Sequence, residues 1–174
     1  MEKIKCTDIV KAVGGSLVQG NPENDVAEIS IDSRKIKPGS AFIAIRGERV
    51  DGHDYVREAM KAGCSAIICE KEVDCPKNNV AVIRVENTEL ALQDLAAWYL
   101  SQFKVRKIGI TGSTGKTTTK EMLYQIMSKK YRTVCNKGNY NNLIGLPLSV
   151  FQIDRSTEAA IFEMGMDRLG EIHR

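Results

Sequence analysis

The stretch Gly109–Lys120, reading GITGSTGKTTTK, constrains this chain more than any other. It follows an apolar run and opens what reads as a helix. A strand, a glycine turn, a lysine, adjacent hydroxyls and a helix start together describe a cradle for nucleotide phosphates. Backbone N–H groups freed by Gly112 and Gly115 converge on phosphate oxygens, and the helix N-terminus adds partial positive charge. Lys116 is spaced to reach the β- and γ-phosphates, and Thr117 to place its hydroxyl on Mg²⁺.

The loop departs from the usual phosphate-binding pattern, which would put glycine at position 110, where this chain has Ile110. A bare G-x-x-G-K-T also fits an ordinary glycine turn carrying a solvated lysine. Context favours the nucleotide reading. Lys107–Thr111 (KIGIT) reads as a buried parallel strand, and Lys116–Ser128 shows helical apolar spacing at Met122, Leu123, Ile126 and Met127.

The remaining composition is that of an ordinary globular protein, with 43% hydrophobic and 27% charged residues in 174. A net charge of +3 with dispersed basic residues argues against a nucleic-acid partner. No apolar run approaches the length of a membrane span, and the N-terminal MEKIKCTDIVKAVGG lacks the apolar core of a signal peptide. Cys6, Cys64, Cys69, Cys75 and Cys135 form no C-x-x-C pair. They read as reduced thiols of a cytoplasmic protein, with spacings wrong for zinc.

Along the chain, Thr7–Val13 reads as a helix capped by Thr7 and stopped by Gly14-Gly15. Leu17–Gln19, Val26–Ile31, Ala41–Ile45, Ala66–Cys69 and Val80–Val85 read as strands, and Asp54–Ala62 as a helix ended by Gly63. Asn87 or Thr88 caps a long helix from Glu89 to about Gln102, with Leu92, Leu95, Ala96 and Tyr99 on one face. A domain boundary is expected near residue 105, giving domains 1–104 and 105–174. Strands at Thr133–Cys135 and Thr157–Phe162 follow the phosphate-loop helix. Alternating strands and helices predict an α/β fold with parallel sheet in both domains. The chain stops about one turn into an apparent helix at Gly170, so the second domain is expected to be truncated.

Glu163 ends the Thr157–Phe162 strand, on the edge where an open α/β sheet gathers its ligands. A carboxylate there suits Mg²⁺ between the β- and γ-phosphates, and Met164-Gly165-Met166 predicts a turn leaving it pointing outward. A solvated strand-end glutamate is the competing reading. The loop Gly138–Asn142 is rich in amides that suit a sugar or diphosphate, although asparagine also suits turns. In the first domain, Asp32-Ser33-Arg34 and Gly47–His53 follow strands. Arg34, Arg49 and His53 there are candidates to approach an anion, with turn chemistry as the alternative.

Together these residues resemble the Mur ligase family, which adds amino acids to the bacterial cell-wall precursor. Thr111–Thr118 matches that family's T-G-[ST]-x-G-K-[ST]-[ST] loop, which accounts for Ile110. Lys120-Glu121-Met122, the G-N-x-N-N-x-x-G-x-P stretch from Gly138 to Pro147, and Glu163-Met-Gly with Gly170-Glu-Ile172 bring the likeness closest to the member that joins D-alanyl-D-alanine to UDP-N-acetylmuramoyl-tripeptide. D-S-R and G-E-R-x-D-G-H-D fit that member's uridine-nucleotide domain.

The resemblance implies three domains, of which this chain holds the first and the opening of the central ATPase domain. It implies ATP-dependent amide formation through an acyl phosphate, with Mg²⁺ as cofactor. The implied ATP loop is Gly112, Ser113, Thr114, Gly115, Lys116, Thr117 and Thr118. Lys116 and Glu163 are the implied catalytic groups, and Thr117 with Glu163 the implied metal partners. Asn139 and Asn142 fall on the substrate side, and Ser33, Arg34 and Arg49 on the uridine nucleotide. Two alternatives stay open: the relative that adds the third amino acid, and a UDP-sugar-binding module without catalysis. The oligomeric state is not legible.

Overall fold

The segments SAFI, AIIC and AVIR are apolar at nearly every position rather than at alternate ones, as strands covered on both faces require. In the computed structural model, which describes residues 1–47, 49–76 and 79–166, these segments form the centre of the first of two compact units. The units are Met1–Leu95 and Ala96–Arg174.

The first unit runs β1 (Ile4–Lys5), α1 (Cys6–Val13), β2 (Ser16–Gln19), β3 (Asp25–Val26), β4 (Glu28–Ser30), a 3-10 turn (Ser33–Lys35), β5 (Ser40–Ile43), a second 3-10 turn (Gly52–Tyr55), α2 (Val56–Lys61), β6 (Ala66–Cys69) and β7 (Ala81–Arg84). Its five-stranded sheet has the order β2-β7-β6-β5-β4. β4 to β7 are parallel and β2 is antiparallel at one edge. Phe42, Ile67 and Val82 join Val56, Ala59 and Met60 of α2 in one core cluster. The alternate residues Ile43, Ile68 and Ile83 are fully buried too.

Three local expectations are adjusted. α1 begins at Cys6, with the Asp8 carboxylate accepting the Lys5 N–H, so Thr7 is inside the helix rather than its cap. Cys6 and Ile9 are fully buried, which fixes that register, and Gly14 ends the helix at φ +60°. The expected strand Val26–Ile31 is two strands: β3 pairs with β1 and β4 with β5, because the Ala27 N–H turns to the Gly39 carbonyl. The expected helix Asp54–Ala62 starts as a 3-10 turn, since the Asp51 carboxylate caps the His53 N–H ahead of it.

α3 (Thr88–Ser101) is capped by Asn87, whose side-chain oxygen accepts the Leu90 N–H at 2.8 Å. Leu92, Leu95, Ala96 and Tyr99 are buried, as the periodicity predicts. The division between the two compact units falls inside this helix, between Leu95 and Ala96. Tyr99 explains why its last turns belong with the second unit. Its hydroxyl donates to the Ile153 carbonyl at 2.7 Å, and its ring packs on Phe103 and Phe151.

The second unit adds β8 (Arg106–Ile110), α4 (Lys116–Met127), β9 (Thr133–Cys135), α5 (Gly145–Val150) and β10 (Ala159–Glu163). Its described sheet is parallel, in the order β8-β10-β9. β10, paired on both sides, is buried throughout. Among the described residues β8 is paired on one side only and is mostly exposed, where the sequence predicts a buried strand. The α4 stripe also departs from expectation. Leu123 and Met127 are half-buried, but Met122 and Ile126 are 63% and 69% exposed, and the fully buried residue of this helix is Lys120. No element is expected from the sequence over the segment that forms α5. Pro147 sits in the first helical turn, where its missing N–H costs nothing. A side chain at Gly145 would meet the Tyr140 backbone at 2.7 Å.

Candidate phosphate and metal site

Three parallel strands ending on one edge set the geometry of the second unit's site. β8 runs into Thr111–Gly115, β9 into Asn136, and β10 ends at Glu163. Gly112 and Gly115 have φ of +149° and +76°, backbone that side chains rarely adopt, and a Cβ at Gly115 would meet nothing within 4 Å. Ser113 and Thr114 are exposed on the loop between them. α4 starts at Lys116, its first internal bond running from the Thr119 N–H to the Gly115 carbonyl. The N–H groups of Lys116, Thr117 and Thr118 thus have no partner within their own helix. The Lys116 ammonium lies across the loop and donates to the Gly112 carbonyl at 2.8 Å.

Glu163 is 3% exposed, against the expectation that its turn would point it outward. The cause is Asn136, which pairs with the Glu163 backbone as a further strand residue would. The Glu163 N–H donates to Asn136 Oδ1 at 2.8 Å, and Asn136 Nδ2 donates to the Glu163 carbonyl at 2.9 Å. The carboxylate stays beside the loop. Its Oε2 accepts from Thr117 Oγ1 and its Oε1 from Asn141 Nδ2, both at 2.9 Å. Lys120 Nζ lies 3.9 Å from Oε2. A hydroxyl and a carboxylate in contact at a helix start form a hard-oxygen pair of the kind Mg²⁺ takes.

The amide loop contributes differently from expectation. Asn142 Oδ1 accepts the Ile144 and Gly145 N–H groups and caps α5, and Asn139 is exposed. Asn136 and Asn141 are the amides that reach Glu163. Sequence reasoning missed both, together with Lys120. For Lys120 a signal existed: it lies one helical turn after Thr117, on the same face. Gly170-Glu-Ile172 lies outside the described residues, as does Glu48.

In the first unit, Ser33 and Arg34 follow the carboxyl end of β4, and Arg49 follows that of the adjacent β5. Ser33 Oγ donates to Glu58, and the exposed Arg34 guanidinium forks onto Asp32 with two bonds of 2.9 Å. Arg49 is exposed in a hairpin closed by the Arg46–Asp51 bridge. His53 is not free to meet a ligand. It is buried, with Nδ1 2.6 Å from Asp51, and Nε2 accepts the Glu70 N–H at 3.0 Å, which requires the neutral tautomer protonated at Nδ1. Gly52 is needed beside it, because a Cβ there would meet Ile45 O at 2.7 Å.

Asp51 accepts from the His53 backbone, from Lys71 and from the His53 ring, which together hold its carboxyl well below the usual carboxylate range. A folded value below the unfolded one gives stability that is full above about pH 4 and is lost as pH falls through the folded value. Asp51→Asn is therefore expected to lower the first unit's stability at neutral pH and to flatten its acid-unfolding limb. Parallel pH-unfolding curves for the two proteins would disprove this.

Among the described residues no helix is long and apolar enough to cross a membrane, and none of the five cysteines is in a disulfide.

The chain matches two descriptions of one family. Residues 25–99 match the Mur ligase family catalytic domain and residues 110–174 the Mur ligase middle domain. UDP-N-acetylmuramoyl-tripeptide–D-alanyl-D-alanine ligase of Bacillus subtilis is 43% identical over 173 residues, covering 99% of this chain and 38% of that protein. The solved structure of UDP-N-acetylmuramoylalanyl-D-glutamyl-2,6-diaminopimelate–D-alanyl-D-alanyl ligase from Acinetobacter baumannii superposes with a TM-score of 0.91. It is 34% identical, and the match covers 99% of this chain and 38% of that one. The MurF ligase of Thermotoga maritima, solved in complex with ADP, gives a TM-score of 0.77 at 35% identity over 84% of this chain and 34% of its own. This chain thus spans under two-fifths of the length of these relatives. From the phosphate loop, the parallel strands around it and these matches across both units, the chain belongs to the Mur ligase family.

Proposed function

We propose that this chain is the substrate-nucleotide and phosphate-loop portion of an ATP-dependent amide ligase. The ligase joins D-alanyl-D-alanine to UDP-N-acetylmuramoyl-tripeptide in the cytoplasm. Residues 1–104 would carry the uridine nucleotide through Ser33, Arg34 and Arg49, and residues from 105 onward the ATP. The observation that carries this reading is the Thr117–Glu163 hydrogen bond beside the glycine loop. The ADP complex of the Thermotoga maritima relative supports it.

Phosphoryl transfer asks little covalent chemistry of a protein, mainly positioning and charge stabilisation. Gly112 to Thr118 would wrap the phosphates with backbone N–H groups, and Lys116 would exchange the Gly112 carbonyl for a phosphate oxygen. Mg²⁺ held by Thr117 Oγ1 and Glu163 would neutralise charge between the β- and γ-phosphates. The tripeptide's terminal carboxylate attacks the γ-phosphorus and ADP leaves. The dipeptide amine then attacks the acyl phosphate carbonyl, forming the amide and releasing phosphate. Exposed Asn139, and the Asn142 amide nitrogen not used in capping α5, would be the loop's contacts on the substrate side.

The full-length protein is expected to release phosphate from ATP only when UDP-N-acetylmuramoyl-tripeptide and D-alanyl-D-alanine are both present. Equal turnover with a lone diamino acid and the dipeptide precursor would instead assign it to the third-residue step. Tight UDP-substrate binding without any ATP turnover would assign it to a binding module.

A further inference from the structure

Lys120 is the most anomalous side chain in the second unit: a lysine with no exposed surface on a helix whose other residues are exposed or half-buried. Burying an ammonium is unfavourable unless its protons are taken up by fixed acceptors. Lys120 Nζ donates to the Asn136 backbone carbonyl at 2.8 Å and lies 3.2 Å from the Glu121 carboxylate. Its distance to Glu163 is longer, 3.9 Å, and that carboxylate already accepts from Thr117 and Asn141. Lys120 therefore acts first on Asn136.

Asn136 in turn is fully buried and uses its whole side chain. Oδ1 and Nδ2 clasp the Glu163 backbone, and Nδ2 also donates to the Tyr140 carbonyl. The amide loop closes over the same point, with the Gly165 N–H on the Asn141 carbonyl. The lysine thus ties α4, which begins at the phosphate loop, to the asparagine that sets where Glu163 stands.

We infer that Lys120 is a positioning residue. Its buried ammonium pins the Asn136 carbonyl, so that the Asn136 side chain holds Glu163 against Thr117 in the arrangement a divalent cation requires. The inference rests on the metal–nucleotide reading of this site given above. Its sign is distinctive. A cation near a metal site repels the metal, so deleting a bystander lysine would tighten Mg²⁺ binding or leave it unchanged. Deleting a positioning lysine weakens it.

The test is ADP binding to the full-length protein, followed by calorimetry in EDTA and across a Mg²⁺ titration, for wild type and Lys120→Met. The expected result is metal-free ADP affinity within about threefold of wild type. The Mg²⁺ concentration for half-maximal enhancement should rise by about tenfold or more, within the range that metal-supporting partners show. An unchanged or lower Mg²⁺ requirement overturns the inference. So does parallel loss of metal-free ADP binding, which would make the lysine purely structural. If Lys120→Met does not fold, Lys120→Leu decides by the same criteria, and Lys120→Gln, which keeps an N–H for the Asn136 carbonyl, should fall between it and wild type. If neither Lys120→Met nor Lys120→Leu folds, the inference fails. A wild-type protein whose ADP affinity ignores Mg²⁺ would sink the underlying site reading, an outcome separate from a variant that behaves as wild type.

Discussion

Lys116→Ala is expected to lower acyl-phosphate formation in the full-length protein by about 10²- to 10³-fold, the scale for deleting one preorganised donor at developing charge. UDP-substrate binding should stay within about threefold, as for a surface change elsewhere. The physical basis is how little the side chain does in the fold. Its described contact is one hydrogen bond to the Gly112 carbonyl, on an exposed loop whose glycines hold their own conformation. Removing it leaves no buried group unsatisfied, so the stability change should be small. Rapid-quench measurement of phosphate release with the UDP-tripeptide alone reads the first chemical step directly. Loss of UDP-substrate binding in parallel would mean that the lysine supports the structure, and the phosphate role would fall.

Much of this architecture was legible because it depends on local signals. The apolar quartet Ala66–Cys69 and the short Thr133–Cys135 strand stand where their composition predicts. α3 follows its buried face and its Asn87 cap. The phosphate loop was visible because glycines at 112 and 115 answer a backbone requirement that no other residue meets cheaply. What escaped notice depends on partners distant in sequence. Glu163 is buried because Asn136, on another strand, clasps its backbone, and no pattern around residue 163 encodes that. Asn139 and Asn142 drew attention by composition, but Asn141 is the amide that meets the carboxylate, and Asn142 caps a helix hidden behind a glycine and a proline. The α4 stripe misled for a related reason. Helical periodicity locates a face but does not say what covers it, and here Leu123 and Met127 are half-buried while the fully buried position is Lys120.

Glu163→Ala and Glu163→Gln are expected to separate the structural part of this glutamate from its metal part. The alanine variant removes the acceptor of two hydrogen bonds and the second carboxylate near a buried ammonium. Breaking a buried ion pair from one side costs about 3–5 kcal/mol. The 3.9 Å separation and the remaining Glu121 contact put this case near the lower end, about 3 kcal/mol. Glutamine keeps the volume and one carbonyl oxygen, so one donor of the pair Thr117 and Asn141 is still satisfied. Its loss should be near 1 kcal/mol, the scale of a single hydrogen bond. The two variants should converge in the other measurement. Both replace the charged oxygen proposed to hold the divalent cation, so in both the ADP affinity of the full-length protein should stop responding to Mg²⁺. Urea unfolding of the second unit would rank wild type above glutamine and glutamine above alanine, while metal titration would place the variants together. A glutamine variant that still tightens on ADP when Mg²⁺ is added would show that the carboxylate holds the strand end in place without ligating the ion. The hydroxyl of Thr117 would then be left as the one remaining candidate ligand of the proposed pair.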